Sequence, residues 1–254
     1  MIVSHRFQFV FVHCRKVAGS SMKLAMSPYL GDEDMVVGSL DEMLDAHIRP
    51  TAAMQRVLDL PAVRLMTTAA RLSGFPPNRA KSIAYKRALR GVLGENPPHP
   101  PASRAIDWVG ERRWTTYTKF CFVRNPYRQV VSDYLWIGRN TRTKFSFTTY
   151  LRALAAPDAR SRILPSGWVR NWDMISVDGK LAVDFVGRFE NMEDDFASIT
   201  SRLGLGRLEI AGISAKKSPT YDYRSFYSDE DVELVTGLFR EEIEEFGYSY
   251  SNDT

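Results

Sequence analysis

Three stretches of the chain are dense in apolar residues, and each is followed by a helical pattern. They read FQFVFV at 7–12, KFCFV at 119–123 and LAVDFVGRF at 181–189. Apolar residues fill these stretches instead of alternating with polar ones, which is typical of parallel strands buried on both faces. Strands that alternate with helices predict an α/β fold with a mostly parallel sheet.

The helix after the second strand has both a predicted start and a predicted buried face. Asn125 can cap it, and Pro126 suits its first turn. Apolar residues then recur at helical spacing at Tyr127, Val130, Val131, Tyr134 and Leu135. The polar residues left on the other face are Arg128, Gln129, Ser132 and Asp133.

Two further helices are predicted toward the C-terminus. One begins at about Asn191 and stops at Gly204. Its apolar side carries Met192, Phe196, Ile199 and Leu203. The other begins at a capping box formed by Ser228 and Asp231 and continues to Gly247. Its apolar positions are Val232, Val235, Phe239, Ile243 and Phe246.

The region from about 54 to 113 interrupts this alternation, and we interpret it as a basic, proline-rich insertion in a single domain of residues 1–254. Its helical face would carry Ile83, Ala84, Ala88 and Leu89. Its cations are Lys81, Lys86, Arg87 and Arg90. One reading is a solvated basic face. The other is a lid or acceptor-binding surface for an acidic polymer or a lipid headgroup.

Composition narrows the classes of partner and compartment. The net charge of +4 allows an anionic partner but is too small to imply nucleic acid, so none is predicted. Cys14 and Cys121 make neither a disulfide framework nor a zinc motif, so we expect no metal and interpret both as small buried strand residues. No apolar run approaches the roughly 20 residues that span a bilayer, and the N-terminus lacks a signal pattern. We therefore expect a cytoplasmic protein; peripheral membrane contact and oligomeric state stay open.

The segment FVFVHCRKVAGSSMK, residues 9–23, has the parts of an anion cradle. A strand that enters a helix through a short loop offers unpaired backbone N–H groups and the positive end of a helix dipole. Gly19 allows close backbone approach, Ser20 and Ser21 add hydroxyl donors, and Lys16 adds a positive charge. The nucleoside-triphosphatase pattern is absent, because the lysine precedes the glycine and no first glycine is present.

A second junction supplies another cation. Arg124 follows the second strand directly, and Ser132 lies eight residues later. Parallel strands place their carboxyl ends along one edge of a sheet, where α/β folds bind ligands. A ligand with two separated phosphates would satisfy both junctions, although an ordinary surface salt bridge is the alternative for Arg124.

These motifs together resemble those of sulfotransferases that use 3'-phosphoadenosine 5'-phosphosulfate (PAPS). HCRKVAGSS is similar to their 5'-phosphosulfate loop, and FCFVRNPYRQVVSDY is similar to their 3'-phosphate signature. The likeness is to the carbohydrate-type group, which includes heparan sulfate 2-O-sulfotransferases and bacterial sulfotransferase family 2 proteins. It continues in VDFVGRFENMEDDFASI and in KKSPTYDYRSFYSDEDVELVTGLFREEIEEFGY. The resemblance implies a P-loop-like, three-layer α/β fold and sulfonate transfer from PAPS to an acceptor hydroxyl on a carbohydrate or glycan.

The resemblance also implies roles for individual residues. Lys16 would contact the phosphosulfate and its bridging oxygen, and Arg124 and Ser132 would bind the 3'-phosphate. The rest of the loop would hold the 5'-phosphate through Arg15, Ala18, Gly19, Ser20 and Ser21. Further predicted nucleotide contacts are Arg188, Lys216, Lys217 and Ser218. The chain departs from the pattern at Arg15, where bacterial relatives usually carry proline, and at Val17, where threonine is common. Phe189 next to Arg188 either borders the adenine or belongs to the core.

Sulfonate transfer is an in-line displacement, so neutralising the leaving adenosine 3',5'-bisphosphate should dominate. Lys16 can do this without a metal. The acceptor hydroxyl needs a base, and the resemblance points to His47 in LDAHIRPTAA. The alternatives are a purely structural His47 or an acidic base, Asp45 or Glu42. His5, His13 and His99 are weaker candidates. His13 precedes the loop, and shaping the loop is the alternative role for it.

Two rival functions stay open from sequence. A nucleotide kinase of related fold would need a complete phosphate loop and a magnesium carboxylate, and neither motif is found. A non-catalytic anion-binding module would use the basic insertion on nucleic acid or an anionic membrane.

Overall fold

The computed structural model of the protein describes residues 1–38, 40–140, 144–156, 163–164, 167–210 and 221–251. A central five-stranded sheet has the strand order β3-β1-β2-β4-β7, and a two-stranded ribbon pairs β5 with β6. The strands are β1 Ile2–Ser4, β2 Phe9–Val12, β3 Met35–Val36, β4 Thr118–Val123, β5 Ser176–Val177, β6 Lys180–Leu181 and β7 Phe185–Arg188. The predicted α/β class, with helices around a central sheet, is confirmed.

The helices of the described residues follow in chain order. They are α1 Gly19–Met26, α2 Asp41–Asp45, α3 Ala52–Asp59, α4 Pro61–Leu72, α5 Pro77–Leu93, α6 Ala102–Val109, α7 Glu111–Thr116, α8 Pro126–Asn140, α9 Phe147–Ala155, α10 Asn171–Ile175, α11 Met192–Arg202, α12 Asp229–Leu238 and α13 Arg240–Phe246. Short 3₁₀ turns occur at Ser27–Tyr29, Phe189–Asn191 and Tyr223–Phe226. None of these helices combines the length and apolar character needed to cross a lipid bilayer.

The parallel part of the sheet consists of the three strands that the apolar stretches predict. Phe11 of β2 lies beside Phe120 of β4, and Phe120 in turn lies beside Phe185 of β7. The outer strands β1 and β3 run antiparallel to their neighbours. The third apolar stretch is not one strand, because it is divided between β6 and β7. Asp184 lies in the break, where its carboxylate accepts a hydrogen bond of 2.8 Å from the Lys119 backbone N–H.

The predicted start of α8 is confirmed, since Tyr127 N–H donates to the Asn125 side-chain oxygen at 3.0 Å. The capping box of Ser228 and Asp231 is present in both directions. The long apolar repeat that follows does not form one helix. It forms α12 and α13, which meet at Phe239.

The region 54–113 is built into the main core. Tyr85 of α5 is fully buried, and its hydroxyl donates to the Val36 carbonyl at 2.9 Å. Ser82 accepts a hydrogen bond of 3.1 Å from Leu40 N–H. Ala84 and Leu89, two of the residues predicted to share a face, are buried. The inner side of α5 therefore supports the sheet edge at β3, while its basic side is largely exposed.

Candidate active site

The loop between β2 and α1 turns sharply through two left-handed residues. Lys16 has φ 63° and Ala18 has φ 57°, although neither is glycine. Residues other than glycine rarely adopt this backbone conformation, and it persists where the surrounding structure holds it in place. The N–H groups of Ser21 and Met22 both point back to the Ala18 carbonyl, at 2.9 and 3.3 Å. The loop thus leads directly into the first turn of α1, as an anion cradle requires.

Gly19 is required by packing against His13. A Cβ atom at Gly19 would lie 1.9 Å from His13 Cδ2, so no larger residue fits without displacing the ring. His13 is buried and stacks on Phe11 and against His99, with ring centroids 5.9 and 4.7 Å apart. Burial holds the pKa of His13 well below its usual value, and the charge of Lys23 lowers it further. A neutral His13 therefore shapes the loop from beneath.

Arg15 fastens the loop to α8. Its guanidinium Nη2 donates to both carboxylate oxygens of Asp133, at 2.8 and 2.9 Å, and both side chains are buried. Asp133 also accepts from the Tyr150 hydroxyl at 3.1 Å and from Trp168 Nε1 at 3.3 Å. The Arg15 backbone N–H donates to Asn171 Oδ1 at 2.7 Å. Arg15 thus holds the loop in place, and its predicted contact with the nucleotide stays a prediction.

The polar face of α8 is buried. The side chains of Gln129, Ser132 and Asp133 are each less than a tenth exposed. Asn171 Nδ2 donates two hydrogen bonds, one to the Gln129 side-chain oxygen at 2.9 Å and one to the Arg15 carbonyl at 3.2 Å. The sequence identified this face as polar but gave no sign that it would be buried, because the ion pair of Arg15 with Asp133 joins residues that are far apart in the chain.

The structure brings the two predicted anion sites together. Arg124 Nη1 donates to the Lys16 carbonyl at 3.4 Å, so the cation of the second junction contacts the backbone of the first loop. Lys16 Nζ lies 5.6 Å from the centroid of the Trp136 ring. The Arg124 guanidinium lies 4.2 Å from the centroid of the Phe189 ring. Aromatic faces therefore hold both cations by cation–π contact.

Arg124 retains hydrogen-bonding capacity. Its Nε atom is buried without a hydrogen-bond partner, and no carboxylate of the described residues forms an ion pair with it. Burial lowers the pKa of Arg124, and the nearby charge of Arg128 lowers it as well. The surface salt bridge considered as the alternative for Arg124 is not formed within the described ranges. A desolvated guanidinium with an open donor fits a phosphate.

The neighbouring backbone is fixed by Glu190. Its two carboxylate oxygens accept from Asn125 N–H at 2.9 Å and from the Tyr248 hydroxyl at 3.1 Å. The Asn125 side chain also donates to the Ser249 carbonyl at 2.9 Å. Residues near the C-terminus therefore hold the turn that carries Arg124.

The candidate bases lie on or next to α2. Ser20 Oγ donates to Glu42 Oε1 at 3.2 Å, which connects the loop to this helix. His47 follows α2 in an exposed turn with φ 57°, and its N–H donates to the Leu44 carbonyl at 3.1 Å. Asp45 accepts a hydrogen bond of 2.7 Å from Asn78. Among the three candidates, Glu42 hydrogen-bonds the loop, while His47 lies at the far end of the same short helix.

The structure describes only one of the remaining predicted nucleotide contacts, Arg188. Arg188 is exposed, and its Nη2 donates to the Phe246 carbonyl at 2.8 Å. The adjacent Phe189 packs under the Arg124 guanidinium, which neither the core reading nor the adenine reading anticipated. Lys216, Lys217 and Ser218 lie outside the described residues.

Comparison with known proteins assigns the family. Residues 1–249 match the family described as "Sulfotransferase family". A relative described as "Uncharacterized protein", from Archaeoglobus fulgidus, is 33% identical over 106 residues, which are 41% of this chain and 82% of the relative. A solved sulfotransferase from Alicyclobacillus acidocaldarius covers 96% of this chain and 97% of its own, at 17% identity and a TM-score of 0.45. Because the family match spans nearly the whole chain, the protein belongs to the sulfotransferase family.

Proposed function

We propose that the protein transfers a sulfonate group from PAPS to the hydroxyl of a carbohydrate or glycan acceptor, with adenosine 3',5'-bisphosphate as the leaving product. The observation that carries this proposal is the hydrogen bond from Arg124 to the Lys16 carbonyl. It joins two strand-end anion sites into one surface, as a nucleotide phosphorylated at two separate positions requires. PAPS would supply the sulfonate, and the chain's own residues bind and orient it.

Lys16 and the start of α1 would hold the 5' end of the nucleotide. The loop enters α1 at Gly19, and Lys16 adds a positive charge to the loop, with its Nζ 5.6 Å from the centroid of the Trp136 ring. In a displacement reaction, negative charge develops on the leaving phosphate oxygen, and a positioned cation there lowers the barrier. We assign that role to Lys16, because it belongs to the loop and its backbone carbonyl contacts Arg124.

Arg124 and Ser132 would hold the 3'-phosphate. The Arg124 guanidinium keeps an open Nε donor, and Ser132 lies two turns along α8 from the start of that helix. Arg128 extends this site, since its guanidinium lies 4.9 Å from the centroid of Tyr223 and its charge lowers the pKa of Arg124. A bound phosphate would relieve the repulsion between the two guanidinium groups.

The acceptor would be deprotonated by a group on or next to α2. His47 is the first candidate, by its family resemblance, and Glu42 is the second, by its contact with Ser20. A carbohydrate acceptor rests on the resemblance alone. Cys14 and Cys121 are buried free thiols that are hydrogen-bonded to each other, which supports our proposal that the reaction takes place in the reducing cytoplasm.

A transfer assay with PAPS and a panel of glycan acceptors tests the activity. We expect sulfonated product, a loss of turnover of about a hundredfold or more in His47→Ala, and little loss in the matched exposed variant Arg49→Ala. If Glu42→Gln loses turnover and His47→Ala does not, the base assignment moves to Glu42. Transfer of phosphate from ATP with magnesium would contradict the proposed function and favour a kinase. Anion binding with no transfer to any acceptor would favour the non-catalytic module.

A further inference from the structure

The helical hairpin formed by α4 and α5 exposes most of the large apolar side chains at the surface. Of six large apolar residues that are exposed in the described ranges, five belong to residues 60–92. They are Leu60, Leu65, Leu72, Phe75 and Val92. Leu65 is 71% exposed and Leu72 is 85% exposed. A concentration of exposed large apolar residues on this hairpin indicates a surface that contacts another molecule.

The exposed part of α4 is divided into an apolar stripe and a cationic stripe. Ala62, Leu65, Ala69 and Leu72 follow helical spacing along one exposed line. Arg64, Thr68 and Arg71 form a second exposed line beside it. The third side of the helix packs inward, where Val63 is buried. This division is typical of helices that lie at a membrane interface.

The whole hairpin lacks acidic residues. Residues 60–94 contain no Asp or Glu and carry seven basic residues. The seven are Arg64, Arg71, Arg79, Lys81, Lys86, Arg87 and Arg90. Arg71, Lys81 and Arg87 are exposed, and none of them forms an ion pair with a residue that the structure describes. The protein as a whole is only slightly basic, so the hairpin concentrates its positive charge.

We propose that the α4–α5 hairpin docks on an anionic lipid bilayer. The leucine stripe of α4 would enter the boundary between headgroups and acyl chains, and the neighbouring cations would contact lipid phosphates. A second copy of the chain fits poorly, because two hairpins without acidic residues would repel each other. An acidic polymer would satisfy the cations but would leave Leu65 and Leu72 without a partner.

The docking surface and the candidate active site are joined through α2. Arg79 and Ser82 of α5 both bond Asp41, each at 2.8 Å. The next residue of α2, Glu42, accepts the hydrogen bond from Ser20 of the loop. The hairpin that would contact lipid thus braces the helix next to the site.

Vesicle co-sedimentation of the full chain tests the proposal. We expect binding to vesicles that mix phosphatidylglycerol with phosphatidylcholine, and little binding to phosphatidylcholine alone. Leu65→Gln with Leu72→Gln should lower the vesicle affinity about tenfold or more, because less apolar area is buried. Arg71→Gln, Lys81→Gln and Arg87→Gln should lower it by about fivefold for each charge removed. Added salt should also weaken the binding of the parent protein to anionic vesicles.

Two control variants remove an exposed apolar side chain or three positive charges outside the hairpin. Tyr29→Ser removes the sixth exposed apolar side chain, and a triple variant of exposed arginines outside the hairpin removes equal charge. That variant is Arg112→Gln, Arg152→Gln and Arg240→Gln. Both should bind vesicles like the parent protein.

Three kinds of result would overturn the proposal. The first is equal binding to both vesicle types, or hairpin variants that bind like the parent protein. The second is retention on heparin without vesicle binding, which would assign the surface to an acidic glycan. The third is a concentration-dependent dimer that the leucine variant dissociates, which would assign it to a second copy. Unchanged thermal unfolding of the variants confirms that each still folds.

Discussion

The two cationic regions of this protein, the strand-end site and the α4–α5 hairpin, differ in what surrounds each charge. At the strand ends, Arg15 is buried against Asp133, and Arg124 packs on Phe189 beside the loop. On the hairpin, Arg71 and Arg87 are exposed to water. Buried charges fix geometry because few arrangements satisfy them, whereas exposed charges create a field that tolerates rearrangement. Arginine therefore fixes the local geometry in the first region, whereas in the second it contributes an exposed positive charge.

Removal of Asp133 should produce the largest change in stability. Asp133→Ala would leave Arg15 buried without its partner, and breaking a buried pair in this way costs about 3–5 kcal/mol of unfolding free energy. Chemical denaturation measures the change. The matched exposed pair is Arg64 with Asp59, which lie 2.8 Å apart at the surface. Asp59→Ala should leave the unfolding midpoint unchanged, and equal losses in the two variants would contradict the distinction between the regions.

The pH dependence of stability should reveal a second buried charge, Glu242. Burial raises the pKa of Glu242 to about 7, and one of its oxygens has no hydrogen-bond partner among the described residues. In the unfolded chain this carboxyl ionises near its ordinary value of about 4.5. The folded state therefore holds the proton more tightly. Glu242 alone should therefore make stability decline as the pH rises from about 4.5 to about 7, by up to about 3 kcal/mol. Burial lowers the pKa of His13 and His99, so these two groups raise stability with pH up to about 6.5 and oppose that decline.

Glu242→Gln removes that decline, so the stability of the variant relative to the parent protein should rise across this pH range and be higher at pH 8. The exposed neighbour Glu244 provides the matched control, since Glu244→Gln should keep the decline. Thermal unfolding at a series of pH values measures both variants. A decline that persists unchanged in Glu242→Gln would show that another group causes it.

Substitution of Gly19 should have a smaller but clear effect. Gly19→Ala places a methyl group against the buried His13 ring, and overpacking of this kind costs about 1–3 kcal/mol. Gly91 on the hairpin is the matched glycine, because a Cβ there would contact nothing within 4 Å. Gly91→Ala should be neutral or slightly stabilising, by up to about 1 kcal/mol. If His13→Ala does not relieve the cost of Gly19→Ala, the packing account of Gly19 is wrong.

Local features of the fold could be predicted from sequence because their causes are local. The strand β4, the Asn125 cap and the capping box at Ser228 each depend on a few neighbouring residues. The antiparallel strands β1 and β3 were missed because they have only three and two residues, which is too few to show a hydrophobic pattern. The helix break at Phe239 was missed because the apolar repeat continues through it at helical spacing.

The proximity of Lys16 and Arg124 could be predicted from sequence, but the contacts around them could not. Lys16 and Arg124 follow two adjacent parallel strands, so their approach could be expected. The ion pair of Arg15 with Asp133 joins positions 118 residues apart, and no local pattern indicates it. Gly19 suggested room for a ligand, whereas its neighbour is the His13 ring. Long-range packing thus determines the contacts of Arg15 and Gly19, which the loop sequence alone does not indicate.

The central claim is that both strand ends bind one nucleotide with a 5' and a 3' phosphate group. Calorimetric titration of adenosine 3',5'-bisphosphate and adenosine 5'-monophosphate into the parent protein and Arg124→Ala tests it most directly. We predict that the parent protein prefers the bisphosphate by about tenfold or more, and that Arg124→Ala removes this preference while its affinity for the monophosphate stays the same. Equal affinities of the parent protein for the two nucleotides would contradict the account.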